Sequence, residues 1–236
     1  MKTRRSQLLL LCASLPLEAQ LKNIFGKLGG KSKDVDKNSQ GIREALSIGL
    51  TNAVGLASKP DGFFANSLIK ILLPEKLRPI EKGLRMIGGG KLIDDFVLAM
   101  NRAAEKAAPA AKEIFLRALK QMTIIDALQL LKGGDTAATD FFRKTTTEPL
   151  VKAFRPPIVE SMESVGAMKA YNDMTARFKQ IPFLKADSMD IESYVTTKAV
   201  EGLFLLVAEE EKQIRTNPAA RITPLLKDVF GAIGKR

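Results

Sequence analysis

The chain contains no histidine and no tryptophan, and Cys12 is its only cysteine. Each absence removes a class of chemistry. Without histidine there is no Ser–His–Asp or Cys–His pair, no imidazole general base and no imidazole metal ligand. A zinc site built from cysteine and histidine fails on the same count. A single cysteine closes no intramolecular disulfide, so packing has to hold the fold. Low-complexity sequence is missing as well. With 17 glycines, 11 prolines, 45% hydrophobic and 27% charged residues in 236, the composition is that of an ordinary globular chain.

What is present begins with an address. Lys2, Arg4 and Arg5 precede the apolar run Leu8–Leu17, and Glu18-Ala19-Gln20 follows. A charged start, an apolar stretch and a small residue near its end predict a signal peptide over residues 1–19. Cleavage after Ala19 places the large Leu17 at −3. An organelle presequence, or a buried N-terminal segment that leaves the protein in the cytoplasm, are the alternatives. Residues 20–37, rich in lysine, glycine and serine, are expected to be a flexible basic linker. No later segment reaches the ~18 consecutive apolar residues of a membrane span. The net charge is +11, and the leader's three basic residues and one acid leave +9 behind it. Acids are interleaved with the bases, as in Glu75-Lys76, Glu81-Lys82 and Glu105-Lys106. That argues for a solvated basic surface and against nucleic acid.

The rest of the chain reads as helices with punctuated ends. Ile42, Leu46, Leu50 and Val54 recur at helical spacing, and Lys59-Pro60-Asp61-Gly62 stops that helix. Phe63 and Phe64 are expected to plug the core before Pro74 opens a short helix ending at Gly88-Gly89-Gly90. Residues 91–122 form the clearest helix, with an alanine-rich stripe that lets another helix approach closely and a kink or division near Ala108 imposed by Pro109. Ile124–Lys132, a helix from about Ala137 to Phe154, another starting at Pro156-Pro157, and residues 167–181 follow. Asp190 is the expected N-cap of a second long helix over 191–216, and Thr223-Pro224 starts a closing one. The strand candidates, Ile69–Leu73 and Ile181–Leu184, are short. The expectation is an all-α single domain over 38–231, an irregular multi-helix bundle with two long central helices (91–122 and 191–216) lying against each other, and a tail at 232–236.

Candidate sites are few. Gly88-Gly89-Gly90-Lys91 lacks the phosphate-loop pattern, with Arg85 at the first glycine position and Leu92 at the hydroxyl position. Carboxylates remain as the route to metal or acid–base chemistry: Asp94, Asp95 and Glu105 on one long helix, Glu209, Glu210 and Glu211 on the other. No EF-hand and no Glu-x-x-His pattern accompanies them, so no metal site is expected. Ion pairs with Arg102, Arg215 or Arg221 are the simpler role. Asn101, Arg143, Thr145 and Tyr194 are structural polar contacts or pocket donors, and Arg215 with Arg221 could line an anion-binding cleft. No residue is assigned a catalytic role and no cofactor is expected.

A set of local runs carries a resemblance. They are Glu44-Ala45-Leu46, Asp61-Gly62-Phe63, Ile71-Leu72-Leu73-Pro74, Met100-Asn101-Arg102-Ala103-Ala104-Glu105, Gly133-Gly134-Asp135-Thr136-Ala137-Ala138-Thr139 and Tyr194-Val195-Thr196. Gly202-Leu203-Phe204, Glu209-Glu210-Glu211-Lys212, Asn217-Pro218-Ala219-Ala220-Arg221 and Leu225–Gly231 complete it. Together these resemble a bacterial family known as domain of unknown function 4197 over nearly all of residues 40–231. The resemblance implies an α-helical protein made with an export signal; it implies no activity, cofactor or functional residue.

These readings favour a periplasmic or cell-envelope protein that binds an apolar or anionic ligand, or an envelope protein, without catalysis. Its candidates for binding are Asn101, Arg102, Glu105, Arg143, Tyr194, Glu210, Arg215 and Arg221. The rivals are a hydrolase or lyase using Glu105 and Glu210 as acid/base groups, and a structural or assembly factor.

Overall fold

Helical spacing of apolar residues is realised as eight α-helices among the described residues of the computed structural model. It describes residues 17–164, 166–179 and 190–217, with the isolated positions 219, 223, 224 and 227. The helices are α1 (Leu17–Ser58), α2 (Arg78–Met86), α3 (Gly90–Ala107), α4 (Ala111–Gln121), α5 (Ile124–Lys132), α6 (Ala137–Ser164), α7 (Ala167–Lys179) and α8 (Ile191–Thr216). No strand occurs among the described residues, so the all-α expectation holds. Ile69–Leu73 contains no strand, and the other strand candidate lies outside the described residues.

The helix ends follow the local chemistry. Pro109 lacks the N–H that a continuous helix needs, and α3 gives way to a 3-10 turn at Ala108–Ala110 before α4. Thr123 caps α5 through a reciprocal box: its hydroxyl accepts from Asp126 N–H at 3.1 Å, and Asp126 accepts from Thr123 N–H at 2.9 Å. Asp190 caps α8 by accepting from Ser193 N–H at 2.9 Å. Beyond α8, Pro224 and Lys227 are helical, and Lys227 N–H donates to Thr223 O; the remainder of the expected closing helix lies outside the described residues.

Two expectations need correction. Residues 20–37 are not a flexible linker but part of α1. Leu21, Ile24, Phe25 and Leu28 recur there at three- and four-residue steps, and lysine is a good helix former, so the glycines do not break the helix. Pro156-Pro157 does not start a new helix either. It lies inside α6 with Pro149. Phe142, Thr146, Leu150, Phe154, Ile158 and Met162 are all buried at steps of four, and burying that continuous stripe outweighs about 3 kcal/mol per interior proline.

α6 is therefore the centre of the bundle. It packs along both α3 and α8, which meet each other over a shorter stretch than their length suggested. Ala103 and Ala104 of α3 are fully buried and small enough to let a neighbouring helix come close, and α6 is the main neighbour of α3. Phe115 of α4 joins the layers edge-on, 5.7 Å from the Phe142 ring and 6.1 Å from that of Phe204. α1 covers α8, α5 and α4, while α7 lies on α3 with Tyr171 stacked on Phe96 at 5.8 Å. No helix among the described residues is long and apolar enough to cross a membrane.

Candidate functional site: a clamped loop on the bundle

The longest non-helical connection among the described residues, 59–74 between α1 and a 3-10 turn at Glu75–Leu77, is held by buried polar side chains of α3. Asp61 takes a left-handed φ of 63°, and Gly62 N–H then donates to Lys59 O at 2.9 Å. Gly62 has no room for a side chain: a Cβ would sit 2.3 Å from Leu56 O. The tight turn drives Phe63 into the core at 0% exposure and leaves its N–H and that of Phe64 without helical partners.

Glu105 supplies them. Its Oε1 accepts from Phe63 N–H at 3.0 Å and from Phe64 N–H at 3.1 Å, and its Oε2 from Arg102 Nη1 at 2.6 Å. Arg102 also reaches Asp61 at 2.7 Å. Hydrogen bonds to Glu105, then to Asp61, hold its guanidinium above its ordinary pKa. Asn101, fully buried, treats Ile71 as a strand neighbour would: Oδ1 accepts from Ile71 N–H and Nδ2 donates to Ile71 O, both at 2.8 Å. Tyr194 of α8 donates its hydroxyl to Leu72 O at 2.9 Å, and burial raises its pKa. The loop's backbone is thus satisfied by side chains in place of a sheet.

A second clamp closes the start of α6. Glu211 lies on the buried stripe of α8, where Val207 and Ile214 mark the apolar register. It accepts from Ala138 N–H at 2.9 Å and from Thr139 N–H at 2.8 Å, two of the orphan donors of a helix N-terminus. Arg215 pairs with it at 2.8 Å and donates to Leu130 O near the end of α5, while Arg43 donates to Met122 O just past α4. Side chains from neighbouring helices thus cap helix ends across the bundle.

The structure brings Asn101, Arg102, Glu105 and Tyr194 together on the loop. The other candidates lie elsewhere. Glu210 accepts from Asn52 of α1 at 3.0 Å. Arg215 belongs to the second clamp, Arg143 lies with its guanidinium 4.8 Å from the Phe204 ring centroid, and Arg221 lies outside the described residues. Thr145 lines a cleft of about 400 Å3 between α4 and α6, yet its hydroxyl donates to Phe141 O of its own helix. Sequence reasoning passed over Glu211 in favour of Glu210, although the spacing Phe204, Val207, Glu211, Ile214 puts Glu211 on the inward face. It also passed over Lys70, which carries no helical pattern to signal its place.

The loop forms a ridge between two depressions. On one side a cleft of about 290 Å3 is walled by Phe64, Leu73 and Val97 with Lys70, Arg78 and Arg85 at its polar edge. On the other, Leu68, Leu72 and Leu205 border a cleft of about 240 Å3 beside Tyr194. Leu68 and Leu72 are 49% and 58% exposed.

Fold and site define an all-α bundle whose irregular loop 59–74 is fastened from beneath by amide, carboxylate and phenol side chains on its backbone. The chain belongs to the family described as protein of unknown function (DUF4197), whose model matches residues 32–231. No curated protein and no solved structure matches the chain.

Proposed function

We propose that this is a non-enzymatic binding protein of the cell envelope, exported by its N-terminal leader, with the ridge 59–74 as its recognition surface. The observation that carries this reading is the fastening of the ridge by Asn101, Glu105 and Tyr194 while Leu68 and Leu72 face solvent. A rigid surface that presents large apolar side chains loses little entropy on binding. The enzyme reading loses support at the residues chosen for it. Both oxygens of Glu105 are engaged by the loop and Arg102, and Glu210 is engaged by α1. A general acid or base has to reach substrate.

The test is native mass spectrometry of the protein recovered from the envelope fraction of its own cells, beside a Leu72→Asp variant. Only the Leu72 side chain changes; its carbonyl stays available to Tyr194. The reading expects a retained species on the parent protein and its loss from the variant at an unchanged melting temperature. Recovery from the cytosol, or equal retention by both proteins, overturns it.

A further inference from the structure

We infer that the cleft between the ridge and α2–α3 binds a single-chain amphiphile with an anionic head, the head on Lys70 and the chain against Leu73 and Val97. The inference rests on the binding reading and names its ligand class.

The charges of the cleft decide the sign of the head. Its acids are Glu81 and Asp94, and both are bonded to Arg85, at 3.1 and 2.7 Å. The hydrogen bond from Arg85 lowers the Asp94 pKa, so that carboxylate stays ionised and satisfied. Arg85 is thereby neutralised twice over. Lys70 is different. Its ammonium lies 4.0 Å from the Phe64 ring centroid and makes no ion pair among the described residues. Among the described residues Arg78 pairs with Glu75 alone, at 3.2 Å, and that pair is exposed, with side chains at 62% and 84%; such pairs are readily exchanged for another anion. Three cations, Lys70, Arg78 and Arg85, thus face two carboxylates, Glu81 and Asp94, both already bonded to Arg85, and that balance favours an entering anion over an entering cation.

The walls decide the rest of the ligand. Phe64, Leu73 and Val97 give an apolar surface next to those cations. About 290 Å3 is at the small end of ligand pockets, which run from about 300 to 1,000 Å3, and suits a medium-length chain. The wall is preorganised, because Ile71, next to Lys70, is fixed by Asn101 and Phe64 N–H by Glu105.

The experiment is calorimetric titration of the full chain with decanoate, decyl phosphate, decanol and decyltrimethylammonium. Saturable one-to-one binding of decanoate or decyl phosphate is expected, with decanol about tenfold weaker and the cation absent. The two anions distinguish a carboxylate head from a phosphate one. Lys70→Gln should weaken the bound anion about tenfold and Lys70→Arg restore it, both at the parent melting temperature. Binding of decanol as tight as of either anion, an unaffected Lys70→Gln, or no saturable binding of either anion overturns the inference. Those failures concern the head group on purified protein; the fate of the ridge as a recognition surface is read separately from the Leu72→Asp comparison.

Discussion

Replacing Glu105 by alanine removes the acceptor that the loop turn depends on. Glu105 is 5% exposed and takes two backbone N–H groups, of which that of Phe63 is buried. Leaving such donors unsatisfied costs about 1–3 kcal/mol each. Arg102 loses a partner too, but at 38% exposure it keeps Asp61 and water. Relief from desolvating the carboxylate offsets part of the loss, so about 2–4 kcal/mol remains from the two donors. That is a large share of the roughly 5–15 kcal/mol that holds a domain. Urea unfolding followed by far-UV circular dichroism reads it directly. With a slope of about 2–3 kcal/mol/M the midpoint should fall by roughly 1–2 M. Glu105→Gln, which keeps one acceptor oxygen, should fall by less than half as much. An alanine variant within about 0.5 kcal/mol of the parent, or a glutamine variant as damaged as the alanine one, would refute the reasoning.

Gly62→Ala places a methyl group 2.3 Å from Leu56 O and 2.8 Å from Ala57 O, all backbone, so the turn has to move; thermal unfolding should show a loss of about 3 kcal/mol or more, and a neutral variant would contradict the turn geometry. Gly202→Ala meets Phe63 Cε1 at 2.9 Å and should cost about 1–3 kcal/mol in the same assay, less than Gly62→Ala because a ring can shift. Asp190 has its pKa lowered, first by Ser193 N–H and then by the Ser193 hydroxyl. Its folded value lies below its unfolded one, so its contribution is present above the ordinary aspartate pKa and is lost as pH falls through the depressed value. Stability between about pH 5 and 2 should therefore fall less steeply in Asp190→Asn, which keeps a capping oxygen; identical slopes would contradict the cap.

Much of the bundle is legible where one local rule dominates. Pro109 has no N–H to donate, and the helix divides there; Asp190 stands before an apolar run and caps it. Legibility fails where two rules compete. Pro156-Pro157 argue for an end inside α6, and only the tertiary burial of Phe142 through Met162 overrules them. Glycines in 26–30 argue for a linker, and the apolar spacing of Leu21 through Leu28 goes the other way. The site was half legible for a related reason. Asn101, Arg102 and Glu105 share one helix and are conspicuous as a group, but their partners Asp61, Phe63 and Ile71 lie 30 to 42 positions away. No periodicity reports a side chain that serves a loop. Glu210 and Glu211 differ by 100° around α8, which only the buried register of that helix resolves.

Amide hydrogen exchange on the intact chain tests most directly whether the ridge is a fastened surface. Phe63, Phe64 and Ile71 N–H should exchange nearly as slowly as core helix amides such as Phe154, since opening them requires breaking Glu105 and Asn101 away from the loop. Exchange of these three at the rate of an ordinary exposed loop position such as Ser67 would contradict the account.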